Sequence, residues 1–182
     1  MNTKAELKRT AIHEAGHAVL HMALDLGCEG VTIKPNYAKG SAGAATHGGE
    51  WGHRATKLGE TGDDTETLRT VAEGEFWLRH AVACYAGAEA LRQSGDEAWF
   101  LGADGDYSHA RDAIDRITGD EWTQDLLGLL AKRRCQVLVE HYWPEIQAVA
   151  KRLLRSRTID GKTARRILCE SLSARGALIR GW

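Results

Sequence analysis

Little in this sequence breaks a regular pattern: its 182 residues include only two prolines, so few points interrupt helical periodicity. The four cysteines, Cys28, Cys84, Cys135 and Cys169, stand singly, with no Cys-x-x-Cys pair and none of the density of a small secreted scaffold. They read as reduced core residues. No apolar run approaches the roughly 20 residues that span a bilayer, and the N-terminal MNTKAELKRT is polar where a signal peptide needs an apolar stretch. The expectation is a cytoplasmic protein with no membrane partner. An excess of one charge is missing too. With 24 basic and 25 acidic residues the formal net charge is -1, which gives no bulk attraction to nucleic acid. No repeat, low-complexity tract or Pro/Ser-rich linker divides the chain, and its length suits one domain spanning 1–182.

What the sequence does have is helical spacing. From Thr3 to about Leu26, Ala5, Leu7, Ile12, Ala15, Val19, Leu20 and Ala23 recur at helical intervals, and Gly27 stands where a helix stops. Val31 to Pro35 is rich in β-branched residues and predicts a short strand, followed by a glycine-rich stretch from Lys39 to Gly52 in which Ala42 to Thr46 form a second one. Asp63, Asp64 and Thr65 offer caps for a helical region running to about Gln93, with a break near Gly74. A helix begins near Asp106 and runs to Ile117. Glu121 to Arg155 is helical and divided at Pro144, and a last helix covers about Gly161 to Leu172. The predicted fold is mainly α, with a small β element, a short strand plus an edge strand, beside the first helix.

Within that first helix lies His13-Glu14-Ala15-Gly16-His17. Residues four apart on a helix are separated by about 40° and one turn, so both imidazoles reach a single ion. Glu14 falls to the side, placed to hold a water rather than the metal, which suits a general base. The pattern points to a zinc-dependent peptidase. Gly16 costs about 1 kcal/mol in a helix interior relative to alanine, so a close neighbour is expected there. Zinc normally takes a third protein ligand and keeps one position open. The candidates are His21, His47, His53, Glu73, Glu75, Glu89, Asp104, Asp106 and His109. His21 lies about 80° from His13 and some 12 Å further along the helix, which suits a structural histidine better. Leu20 and Ala23 stand where HExxHxxGxxH needs glycine and histidine, so the metzincin pattern is excluded. Asp104 and Asp106 sit at a helix start, where an ordinary cap is the simpler use of an aspartate. Spacing does not choose among the rest.

These residues belong to a wider resemblance. AIHEAGHAVL at 11–20, GVTIKP at 30–35, ACYAGAEAL at 83–91, GADGDYSHARDAI at 102–114 and LLRSRTIDGKTARRIL at 153–168 occur in the order found in the peptidase domain of the FtsH family of ATP-dependent zinc proteases. The first and fourth segments are the specific ones. The resemblance implies that the third zinc ligand is an aspartate in a Gly-Ala-x-x-Asp segment opening a helix, which matches Asp106. It also implies that an extended polypeptide substrate adds as a strand to a sheet edge, matching Gly43, Ala44, Ala45 and Thr46. Glu89 lies near a family segment that is altered here, and reads as a surface helix glutamate. Family members carry membrane helices and an ATPase module before this domain, and work as hexameric rings built partly by that module. Here the peptidase helix is at the N-terminus, and Gly161-Lys162-Thr163 is no phosphate-binding loop, because Ser156 stands where it needs glycine. The expectations are a stand-alone zinc metalloendopeptidase acting on unfolded or flexible chains, a separate unfoldase or adaptor as partner for folded ones, and a homo-oligomer if the domain assembles by itself. A zinc-holding regulatory or peptide-binding protein is the alternative.

Overall fold

Thr3 caps the N-terminal helix. Its hydroxyl accepts from the Glu6 N–H while the Glu6 carboxylate accepts from the Thr3 N–H, closing a capping box. The computed structural model describes residues 3–36, 38, 41–46 and 65–177, with no side-chain description for 65–70. Helix α1 spans Lys4–Ala23 and stops three residues before the predicted end. There Asp25 (φ 60°) and Gly27 (φ 76°) adopt left-handed backbone conformations and turn the chain into the sheet.

The sheet has three short antiparallel strands, β1 (Gly30–Thr32), β2 (Ala44–Thr46) and β3 (Thr158–Asp160), in the order β2-β1-β3. Val31 pairs with Ala45 on one side and Ile159 on the other, so among the described residues β2 is an edge strand. β3 was not legible in the sequence. Three residues between two amphipathic helices give no periodic signal, and Arg157 in a left-handed turn (φ 65°) creates the strand by re-aiming the chain.

Helix α2 runs Thr65–Cys84 without breaking at Gly74, and the interruption falls instead at Tyr85, before α3 (Ala86–Gln93). A side chain at Gly74 would meet only Ile117 Cγ2 at 3.9 Å, so nothing there forces a kink. The cap candidates Asp63 and Asp64 lie outside the described residues. Helix α4 covers Asp104–Asp115, α5 Glu121–His141, α6 Trp143–Ser156 and α7 Gly161–Ala174. Pro144 sits in the first turn of α6, where its missing N–H costs nothing, and so divides α5 from α6 as expected.

The architecture is mainly helical with a small sheet, as predicted. Helix α1 is its centre, packed between α6 and α3, with Ala15, Ala18, Val19 and Leu20 fully buried. Two buried carboxylates are satisfied within the frame. Glu145 accepts from Arg175 and Ser171, tying α6 to the end of α7. Glu89, expected on the surface, is 1% exposed and accepts from Arg92 and Gln136 between α3 and α5. Periodicity alone places it on a short helix and does not reveal the third helix that covers it. The cysteines are all free, but only Cys84 and Cys135 are buried; Cys28 is half-buried and Cys169 exposed.

Gly16 has the close neighbour its cost predicted. A Cβ there would stand 2.6 Å from the Ala86 carbonyl oxygen and 2.8 Å from Ala90 Cβ, so α1 and α3 touch backbone to backbone. Overpacking of this kind costs about 1–3 kcal/mol, more than the roughly 1 kcal/mol of helix propensity that alanine returns. Gly16→Ala is therefore expected to lower the urea midpoint, and an unchanged or higher midpoint would contradict this packing.

Candidate metal centre

Helix geometry brings His13 and His17 together on one face of α1, their Nε2 atoms 3.2 Å apart and their rings edge to face. From the first turn of α4, Asp106 Oδ2 reaches 3.2 Å from His13 Nε2 and 3.2 Å from His17 Nε2. Two donor atoms one helical turn apart and a third from 89 residues beyond His17 thus stand at the corners of a nearly equilateral triangle. His13, His17 and Asp106 can hold a metal ion, and no other group among the described residues gathers so closely. Asp106 is not a helix cap. α4 starts at Asp104, its N-cap position is Ala103, and no side chain caps it.

The other candidates go elsewhere. His21 is buried one turn beyond His17 and stays out of the triangle, as its position on the helix requires. Glu75 pairs with Arg79, Glu89 with Arg92, and neither Glu73, Asp104 nor His109 joins the group. His47 and His53 lie outside the described residues.

The supporting contacts come largely from backbone. The His17 Nδ1–H donates to the Ala83 carbonyl at 2.9 Å, in the last turn of α2. That bond selects the tautomer in which Nε2 offers its lone pair to an ion. Gly87 in α3 lies against both imidazoles: a Cβ there would stand 2.4 Å from His13 Cε1 and 2.5 Å from His17 Nε2. The break at Tyr85 puts Gly87 in the first turn of α3, where its backbone lies against the histidines.

Glu14 is buried beside the triangle, 7% exposed. Burial raises its pKa, with a further rise from Asp106, against the lowering by His17, His13 and a hydrogen bond from the Ala45 backbone N–H. Ala45 is the middle residue of β2, so the edge strand is tied to the carboxylate. Gly43 lies closer still, since a Cβ there would be 2.8 Å from Glu14 Oε1 and 2.7 Å from the Thr32 carbonyl oxygen. Glu14 and Gly43 line a cleft of 490 Å3 shared by Arg9, Leu91, Leu101 and Asp106. Arg9, one turn before His13, donates to Asp96 and to the Ala98 and Leu101 carbonyls, fixing the connection that leads into α4. Sequence reasoning passed over Gly87, Ala83 and Arg9, and named Ala45 only as part of a substrate strand, not as a partner of Glu14. A glycine inside an alanine-rich helix was the one usable signal.

Burial acts to lower the His17 pKa, but its hydrogen bond to Asp106 and that carboxylate's charge outweigh it and bring it up from 6.5 to about 9. Burial likewise acts to raise Asp106, and the hydrogen bonds and charges of His13 and His17 hold it well below the usual carboxylate range. A proton on His17 Nε2 therefore competes with any ion for that atom. Two opposite trends are expected. Because the folded pKa of His17 lies above 6.5, its contribution to metal-free stability is complete below pH 6.5 and is lost as the pH rises through about 9. Apparent metal affinity rises over the same window, by about tenfold per pH unit. Thermal melts of chelated protein and metal titrations across that range check both signs.

The chain matches no family model and no curated protein sequence.

Proposed function

We propose that this chain is a zinc-dependent metalloendopeptidase that hydrolyses peptide bonds in unfolded or flexible polypeptides, of the kind its resemblance to the FtsH peptidase domain implies. The observation that carries this reading is the triangle of His13, His17 and Asp106 with the buried Glu14 beside it. Donor separations of 3.2 Å suit a four-coordinate ion bonded at about 2.0–2.2 Å, the range of zinc with imidazole nitrogen and carboxylate oxygen. The Ala83 carbonyl behind His17 is the outer partner such a ligand needs. Bound zinc supplies Lewis acidity and makes water acidic enough to serve as a nucleophile near neutral pH.

Glu14 accepts the proton of the attacking water and delivers it to the departing amine. Its raised pKa suits both halves of that transfer, because a carboxylate in the ordinary range holds a proton too weakly to hand it on near neutral pH. The edge strand β2 offers a second strand's worth of main-chain pairing to an extended substrate along Gly43, Ala44, Ala45 and Thr46. Main-chain pairing gives affinity with little demand on substrate sequence. The Ala45 bond to Glu14 sets that strand's register against the base. A cleft of 490 Å3 admits an extended segment rather than a folded domain, so folded substrates require a separate unfoldase or adaptor.

Reduced, unfolded casein incubated with zinc-loaded protein tests the reading. Fragments are expected, a chelator should abolish them, and added zinc should restore them. Intact casein in the presence of protein carrying its zinc would leave a peptide-binding protein instead.

A further inference from the structure

A second cleft, of 680 Å3, lies between α4 and α5, on the face of α4 next to the one that carries Asp106. It is larger than the cleft over Glu14, and nothing in peptide hydrolysis uses it. Tyr107, Arg111 and Ile114 line it from α4, spaced i, i+4 and i+7 so that they share one helix face. Asp125, Gly128, Leu129 and Lys132 line it from α5 with the same periodicity. Tyr85, at the junction of α2 and α3, closes the floor, its ring centroid 5.5 Å from that of Tyr107. The body of the cleft is thus aromatic and aliphatic, and two cations stand over it.

Among the described residues no carboxylate pairs with Arg111 or Lys132; the Lys132 ammonium meets only the Trp99 ring, at 5.7 Å. The Tyr85 and Tyr107 hydroxyls have no hydrogen-bond partner among the described residues either, and each can donate. Gly128 weakens the interior of a helix, yet close packing does not require it: a Cβ there would meet only Ile114 Cδ1, at an ordinary 3.7 Å. What the glycine provides is open space. An apolar cleft of this size with a few convergent donors is the usual form of a small-molecule site.

We propose that this cleft binds a small monocarboxylic acid with an apolar body, its carboxylate held by Arg111 and Lys132 and its hydrocarbon lying on Tyr85, Tyr107, Ile114 and Leu129. Asp125 in the same cleft selects against a second negative charge, which disfavours dicarboxylates and phosphates.

Calorimetric titration with octanoate tests this, run on zinc-loaded and on chelated protein so that binding at the metal centre is told apart. One octanoate per chain is expected in both. The neutral octanamide and the dianionic suberate should bind about tenfold more weakly or less, since each loses a charge-assisted interaction or gains a repulsion. The paired variant Arg111→Gln with Lys132→Gln should lose about tenfold or more in affinity, and Gly128→Leu should block the cleft. A pentapeptide ending in leucine, with its carboxyl free or amidated, separates the two sources of a carboxylate: tighter binding of the free-acid peptide than of octanoate assigns the site to a peptide end, and weaker binding assigns it to a free acid. Absence of saturable octanoate binding, equal binding of octanamide, or binding that survives both the paired variant and Gly128→Leu overturns the proposal.

Discussion

Glu14→Gln is expected to keep its zinc while casein cleavage falls by a hundredfold to about ten-thousandfold, the range that a positioned general base contributes. The amide has the shape of the carboxylate, and its oxygen can still accept from the Ala45 N–H. The His13, His17 and Asp106 donors do not include Glu14, so the ion has no reason to leave. What disappears is a group able to take a proton from water. Rate and bound zinc should be measured on the same sample, because the two failures mean different things. Wild-type turnover removes Glu14 from the chemistry. Lost zinc makes it part of the metal's frame.

Gly87→Ala is expected to have an equally large effect on metal binding, from a residue that donates nothing. The new Cβ would lie 2.4, 2.5 and 2.6 Å from His13 Cε1, His17 Nε2 and His13 Nδ1. These atoms are not free ends of flexible chains. His17 is pinned by the Ala83 carbonyl, and both rings spring from a buried helix. The clash must displace a ligand or push α3 away, and either opens the triangle. Zinc affinity should fall by about 100-fold or more, at or beyond the upper end of what changes around metal ligands cost. Gly105→Ala is the matched control. It is one residue from Asp106, its Cβ would meet nothing within 4 Å, and its zinc affinity should stay near that of the wild type. Wild-type affinity in Gly87→Ala would mean that α3 does not lie against the histidines as described.

The features legible in the sequence were those fixed by local chemistry. Pro144 divides two helices, and His13 and His17 share one face of α1 because four residues make about one helical turn. Asp106 needed more. By spacing alone it was one acidic residue among several at a helix start, and its place depends on a contact 89 residues long in sequence, which only the family resemblance pointed to. Least visible was what other elements do to a residue. Glu89 looks exposed on its own short helix and is buried by α5. β3 forms where the left-handed turn at Arg157 lays the chain along β1, not because Thr158-Ile159-Asp160 demands extension. Ala83 and Ala45 act through backbone atoms that every residue possesses, so no side-chain pattern could mark them.

Metal content per chain, compared between wild type and Asp106→Ala after dialysis against the same zinc buffer, tests the centre most directly. The proposed centre predicts one zinc per wild-type chain and almost none in Asp106→Ala, with both proteins folded by circular dichroism. Wild-type protein without stoichiometric zinc, or an Asp106→Ala variant that holds it equally well, would contradict a centre built from His13, His17 and Asp106.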